Sequence, residues 1–369
     1  MAARTRRRSI ILGGLIAVGV LLSLPLAASA APGRLAPLMA ANQPARLTAD
    51  ARFTPAEVAA ATGAHAVVPV YAVPKHLTKA YTLGFIHLDV TTPTFATWIQ
   101  AMRDAARFYH VRYIQGDEED QDPRLLDIYN VMRLQHPDVM GAQHPTQVLL
   151  NATRADGVPL IGLDPVPLIT GTLHLGLPDT EAGMKAGNFL GPILKQKLQT
   201  VWKGRNVIYL GMSFVPCDAC EKRVLGALSA LRSYVPFSTN NVIISRSAAN
   251  IDQNRSFATN VLTAHPNDMF VMVGLNDEWG VGAYEAFAAA NRTKDMIGAT
   301  VGCDATGIGA LRNSQFAGMD LGCVDANPYA EGWNWVEAAI ATTQHESFKP
   351  YTIRRIVTPA TVDKVYPKS

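Results

Sequence analysis

Apolar and polar positions fall into repeating blocks along most of the chain, and the block at residues 81–95, YTLGFIHLDVTTPTF, shows the unit most clearly. Leu83, Gly84, Phe85 and Ile86 form an unbroken apolar run, the pattern of a strand buried on both faces of a parallel sheet. Thr91-Thr92-Pro93 ends the run, because proline fixes φ and removes a ladder donor. Helical spacing follows at once: Phe95, Trp98, Ile99, Met102, Ala105 and Ala106 recur at three and four. Strand, polar turn and helix make half of a βα unit. In open α/β sheets, ligands bind beyond the carboxyl ends of the strands. The turn carrying Asp89, Thr91, Thr92 and Phe95 is therefore the first place to look for one.

The same unit repeats in two series. The first predicts strands at 111–115, 139–142, 160–163 and 174–177, with helices at 124–135, 148–155 and 180–198. The second predicts strands at 206–211, 242–245, 269–274, 297–301 and 320–324. Its helices fall at 218–234, 253–264, 279–290, 308–313 and 329–343. Two successive βα series imply an α/β fold with two parallel sheets and right-handed crossovers. The predicted strand ends carry Asp89, His144, Asp164, Asn276, Asp304 and Asp325, with bulky aromatics among them. Such a gathering describes a cleft for a small polar ligand. Residues 31–79 are rich in Ala and Pro with weak periodicity and read as an N-terminal extension holding one helix, Pro55–Thr62.

The first 30 residues stand apart. Arg4, Arg6, Arg7 and Arg8 precede an apolar stretch at 10–26, and Ala28-Ser29-Ala30 is a small-residue cleavage site. This is the plan of an export signal, removed after Ala30, rather than of a retained anchor. The segment Arg7-Arg8-Ser9-Ile10-Ile11 also fits a twin-arginine signal loosely, so Sec and Tat export both stay open. Losing the four leader arginines takes the formal charge from +3 to −1. The basic balance thus belongs to the leader and points to no nucleic-acid partner.

Four cysteines would enter an oxidising compartment, where disulfides are permitted. Cys217 and Cys220 have a spacing that suits redox chemistry, a metal or a short structural loop. No second CxxC and no neighbouring histidine completes a zinc site, so a structural disulfide is the reading adopted. Cys303 and Cys323 end strands expected to be neighbours; a disulfide and two buried thiols both fit there. The acidic run at 118–122 lacks the alternating oxygens and bend glycine of a calcium loop. No Gly-x-Ser-x-Gly elbow, His-Glu-x-x-His or P-loop is present. The expectation is a binding protein without catalysis, cofactor or resident metal.

From Ala80 to Ser369 the chain resembles the type I periplasmic binding proteins, in their ribose- and galactose-binding branch. Thr92-Pro93-Thr94-Phe95 stands where that family has Asn-Pro-Phe-Phe. Residues 157–164, GVPLIGLD, are similar to its GIPVVTLD, and Leu262 to Pro266 followed by Asn276-Asp277-Glu278 to its LTAHP and QNDE. Val301-Gly302-Cys303-Asp304 resembles VGFD, and Asn327-Pro328-Tyr329-x-x-Gly332 resembles QxPYxxG. The resemblance implies two Rossmann-like lobes that close on a ligand, joined by crossings near Leu177, Ala326 and Lys349. One lobe would comprise 80–177 with 327–349, the other 178–326 with 350–369. It implies a monomer that delivers its ligand to an ABC permease or, alternatively, to a membrane sensor kinase. The export signal occupies the end where repressors of this fold carry a DNA-binding headpiece.

Ligand candidates follow position by position. Asp304 and Asn276 suit adjacent hydroxyls, a carboxylate by accepting and an amide by doing both; each could instead cap the next helix. Asp164 faces the same choice, with Pro165 favouring a turn. Phe95 either stacks on a sugar ring or packs beneath its helix, while Trp98 and Trp279 read as packing residues. Asp89 and Thr92 sit at the cleft mouth or serve as caps, and His144 lines the cleft or sits in a turn. Glu221 falls near the position of a sugar-gripping arginine, with Arg223 close by. Pro165 replaces a second arginine, Ala326 with Asp325 beside it replaces a glutamine, and Thr94 replaces one phenylalanine. These departures remove cationic donors and one stacking ring, leaving a sugar, a polyol or a less polar ligand open.

Overall fold

Strand β1, Thr82–His87, is buried along all but its first residue, as its apolar run requires. It pairs in parallel with β2 (Arg112–Asp117) and β3 (Val139–Ala142). With β4 (Leu160–Leu163) and β5 (Leu173–Leu175) the sheet runs β2-β1-β3-β4-β5, every pairing parallel. In this computed structural model the described residues are 51–119, 121–164, 169–214, 217–246, 250–349 and 355–368. The leader, residues 31–50 of the extension and Pro165 lie outside them.

The second sheet holds β6 (Val207–Met212), β7 (Val242–Ser245), β8 (Met269–Gly274), β9 (Met296–Gly302), β10 (Asp320–Asp325) and β11 (Ile356–Val357). Its order is β11-β10-β9-β8-β6-β7. All residues of β6, β8 and β9 are buried, consistent with apolar runs sandwiched between helices. The expectation of purely parallel sheets is corrected at one edge. Strand β11 pairs antiparallel with β10, the chain entering it from the first lobe after a long helix packed there rather than from a crossover helix laid on the second sheet.

Helices follow the strands as α2 (Pro93–Phe108), α3 (Asp122–Met132), α4 (Gln147–Ala155), α5 (Asp179–Gln199) and α6 (Asp218–Leu231). The series continues with α7 (Ile251–Ala264), α8 (Asp277–Ala289), α9 (Ala305–Arg312), α10 (Pro328–Thr343) and α11 (Val362–Val365). Helix α3 starts two residues earlier than periodicity indicates, since Pro123 suits the first helical turn. After β5 the chain leaves the first sheet and α5 packs on α6, β9 and β10. After β10 it returns, and α10 packs on α2, β3 and β4. It then crosses a third time to β11. The lobes are thus linked by three crossings: before α5, before α10, and between α10 and β11.

Helix α10 is buried on every side from Pro328 to Ala341. A helix apolar all round needs cover all round. The sheet and α2 supply part of it, and residues 51–79 supply the rest. This segment carries helix α1, Pro55–Thr62, closed by a capping box between Thr54 and Glu57. Phe53 packs on Phe108 and Tyr109, with ring centroids 4.6 and 5.4 Å apart. Buried Glu337 of α10 accepts from Val70 N (2.9 Å) and Tyr71 N (3.2 Å), and from Tyr109 Oη (2.7 Å) and Trp333 Nε1 (3.0 Å). His65 stacks on Tyr329 at 3.7 Å, and Asn327 Nδ2 donates to the His65 carbonyl. Lys349 N donates to Tyr71 Oη at 2.6 Å. Residues 51–79 are accordingly an integral strap on the first lobe, and the helix expected in this extension, Pro55–Thr62, is formed.

Candidate ligand-binding cleft

The carboxyl ends of both sheets meet, and two side-chain bonds cross between them. Thr94, in the first turn of α2, donates to Asp304 Oδ2 at 2.6 Å. Arg223, on α6, donates from Nη2 to Asp164 Oδ2 at 2.7 Å. Asp164 follows β4 and Asp304 follows β9, so each bond joins a strand end of one lobe to an element of the other. Arg223 also donates from Nε to Asp179 Oδ1 at 2.7 Å and from Nη1 to the Leu275 carbonyl at 3.3 Å. Burial raises the Asp179 carboxyl to about 6, although the Arg223 charge opposes the shift.

Asp304 is both cap and cleft residue. Its Oδ1 accepts from Thr306 N (2.8 Å) and Gly307 N (3.0 Å) at the start of α9, and its Oδ2 takes Thr94. Behind it lies fully buried Asp277, which accepts from Asp304 N at 2.9 Å and from Thr300 Oγ1. Burial, then the neighbouring Asp304 charge, pushes the Asp277 carboxyl well above the usual range. Asn276 caps α8 by accepting from Trp279 N at 3.1 Å. Next to it, half-buried Glu278 is held above the ordinary carboxylate value by burial, then by Asp304 and Asp89.

The remaining candidates divide. Asp89 is engaged in its own turn, accepting from the backbone N–H groups of Thr91 and Thr92 and from both hydroxyls, so Thr92 is turned toward it. Phe95 is partly buried and stacks on Trp98 at 5.2 Å. On the other lobe Phe214 meets Trp279 edge-on at 6.3 Å. His144 Nδ1 lies 3.1 Å from Asp122 and 3.4 Å from Glu118, within the first lobe. Glu221 points outward to Arg246 at 2.9 Å and joins none of these groups. Asp325 is buried with both oxygens taken, by Arg355 (2.7 Å) and Tyr366 (2.6 Å), which anchors the C-terminal segment.

The expected loss of cationic donors is corrected. Arg223 is buried at the cleft, one helical face away from Glu221. Its signal was legible: Cys220, Arg223, Val224 and Ala227 share the buried stripe of α6, and an arginine in an apolar stripe needs a buried anion. Glu331 was missed for a similar reason. It lies in the apolar run of α10, 2 % exposed, with Oε2 accepting from Trp98 Nε1 at 3.0 Å. Oε1 meets no donor. Burial, then the Asp164 charge, raises this carboxyl to about 8. Both disulfides are formed: Cys217–Cys220 starts α6, and Cys303–Cys323 ties the end of β9 to β10.

Residues 83–347, more than half of the chain, match the family described as periplasmic binding protein domain. The chain belongs to this family. Among solved structures, an ABC transporter periplasmic solute-binding protein from Actinobacillus succinogenes with bound D-allose superposes with a TM-score of 0.65 at 18% identity. That alignment covers 77% of this chain and 99% of the other. An ABC transporter solute-binding protein from Bacillus halodurans with bound myo-inositol gives 0.63 at 14% identity, covering 78% and 98%. A Mycobacterium smegmatis protein in complex with β-D-fucofuranose gives 0.63 at 18% identity, covering 78% and 94%. No curated protein sequence matches the chain. At these identities the periplasmic binding protein fold is shared and the cleft chemistry is this chain's own.

One groove lies elsewhere. It holds about 590 Å³ between Tyr129, Arg133, Asp138, Asp156 and their neighbours. Asp138 directly precedes β3 and Val158 lies two residues before β4, so the groove sits at the amino ends of the strands. Ligands of open α/β sheets sit at the carboxyl ends, and this groove is set aside as the ligand site.

Proposed function

We propose that this chain captures a small hydroxyl-rich solute between its lobes and hands it to an ABC permease without altering it. The observation that carries the reading is the pair of bonds across the cleft, Thr94 to Asp304 and Arg223 to Asp164. Both link groups that suit sugar hydroxyls: carboxylates accept from adjacent hydroxyls, and a guanidinium donates to ring and hydroxyl oxygens. Aromatic pairs on both lobes, Phe95–Trp98 and Phe214–Trp279, offer apolar ring faces nearby. Relatives bound to allose, inositol and fucofuranose support a sugar or polyol as the solute. The leader at 1–30 supports export to the periplasm, and the family supports a monomeric carrier with no nucleic-acid partner. Of the contacts expected from the sequence, Asp89, Thr92, Phe95, Asp164, Asn276 and Asp304 are kept as proposed contacts, His144, Glu221 and Asp325 are set aside, and Arg223 and Glu331 join them here.

A thermal-shift panel of pentoses, hexoses, inositols, their amines and their acids tests the reading. A bound solute stabilises by RT ln(1 + [L]/Kd), roughly 2.7 kcal/mol at a hundredfold excess over Kd. The expected result is one chemical class that raises the melting temperature, confirmed by calorimetry with one site. A panel with no shift at all overturns it.

A further inference from the structure

The turn that presents Asp304 to the cleft is held from behind. Strand β9 ends at Gly302, Cys303 follows, and Asp304 caps α9 while its Oδ2 takes Thr94 of the other lobe. Cys303 has a φ of 62°, in the left-handed region. A residue that carries a side chain is uncommon there. Such a backbone persists only where its surroundings over-determine it, and it clusters at functional turns. Two tethers hold it here. The Cys303–Cys323 bridge pins the turn to β10. Asp277 Oδ2 accepts from Asp304 N at 2.9 Å, which fixes the peptide joining Cys303 to Asp304.

Both tethers meet at one carboxyl. Asp277 is fully buried; its Oδ1 accepts from Thr300 Oγ1 and lies 3.3 Å from Cys323 Sγ, Cys323 being the strand neighbour of Thr300. Two glycines wall the group. A Cβ on Gly302 would stand 2.5 Å from Oδ2, and one on Gly307 would stand 2.4 Å from Oδ1. The slot admits this carboxyl because the positions on either side of Asp304 carry no side chain. Burying a polar group is costly unless it is paired, and the packing of α8 does not call for one. Its buried neighbours Gly280, Val281, Ala283 and Phe287 have no polar side-chain atom.

We propose that Asp277 and the Cys303–Cys323 bridge are positioning groups for solute binding, which touch no solute and together aim the Asp304 carboxylate into the cleft. The inference rests on the solute-capture reading and deepens it by naming what sets one of its contacts. Oδ1 of Asp304 is spent on the cap of α9, and Oδ2 is the atom that reaches the other lobe. A turn free to swing would keep the cap and lose the aim. Groups already held in the bound geometry lose less freedom on binding, so they bind more tightly.

Calorimetry on the full chain tests the clamp. The probes are neutral pentoses, hexoses and inositols with their amines and acids, and the one that the wild type binds most tightly is carried to every variant. Asp277→Ala is expected to bind it roughly tenfold more weakly, the worth of one hydrogen bond to a charged group. Asp277→Asn keeps the shape and an acceptor for Asp304 N, and should stay within about twofold of the wild type. Cys303→Ser/Cys323→Ser should lose affinity in the same direction as Asp277→Ala. In an Asp304→Ala background neither change should weaken binding further, because both act through Asp304. Phe53→Ala, in the strap, is the control for lost stability alone: its denaturation midpoint should fall while its affinity holds. Equal affinity in the wild type, Asp277→Ala and the double serine variant overturns the inference and leaves solute capture standing. A full further loss in the Asp304→Ala background does the same. Should Asp277→Ala fail to fold, the double serine variant, with and without Asp304→Ala, decides alone. A wild-type chain silent to every probe overturns both.

Discussion

Arg223 shows how much one side chain can be asked to do. It holds Asp164 on one lobe and Asp179 on the other, out of water. Removing one member of a buried ionic group strands its partners, at a cost of about 3–5 kcal/mol. Arg223→Ala is expected to lower the urea midpoint by that much. Arg223→Lys should recover only part, because an ammonium lacks the fork that reaches both carboxylates. The raised carboxyls give a second prediction. Glu331 at about 8, Glu337 at about 7 and Asp179 at about 6 keep protons that the unfolded chain has already released. Where the folded state binds more protons, stability falls as pH rises. The loss should begin near pH 4, the ordinary carboxylate value, and be complete above about 8. Denaturant titrations at pH 5 and pH 8 are expected to find the chain more stable at the lower value. Glu331→Gln, which keeps an acceptor for Trp98, should flatten the upper part of that slope. A wild-type curve that climbs toward pH 8 would remove the argument.

Among the elements, the α5–α6 pair sets the tightest tolerance. A Cβ on Gly183 would stand 1.9 Å from the Arg223 carbonyl oxygen, and one on Gly226 would stand 2.5 Å from the Thr180 carbonyl oxygen. The two helix backbones touch, so the collision cannot be relieved by turning a side chain. Gly183→Ala is expected to cost about 1–3 kcal/mol, the usual range for overpacking, seen as a lower denaturation midpoint. Solute affinity should drop with it, because α6 carries Arg223. The β9–β10 disulfide, Cys303–Cys323, closes a loop with a sequence separation of 20. Replacing both cysteines by serine should remove roughly 3 kcal/mol on the chain-entropy account. Equal midpoints for the oxidised wild type and the double serine variant would count against that account.

At the scale of the whole molecule, the two sheets were legible because β1, β6, β8 and β9 are long apolar runs and their helices keep strict three-and-four spacing. The antiparallel β11 was not legible: two residues carry no period. The strand-end positions of Asp164, Asn276 and Asp304 were readable, and two of them, Asp164 and Asp304, take a bond from the other lobe. The cleft was unreadable where a helix turned a charged residue inward, as at Arg223 and Glu331, because sequence spacing names a face and leaves unsaid what lies opposite it. Residues 51–79 failed for a related reason. Val58, Val67 and Val73 are core residues, yet they are spaced by irregular chain with neither a helical nor a strand period. The family match starts at residue 83 and leaves this stretch out. A version of the chain trimmed to begin at Ala80 would therefore look complete by homology and yet leave Phe108 and Tyr109 with a wet face and Glu337 short of two donors. Such a trimmed protein is expected to bind a hydrophobic dye, unfold at lower urea and aggregate on standing, whereas the chain retaining Arg52 onward should not. Domain limits drawn from relatives would here cut through the hydrophobic interior.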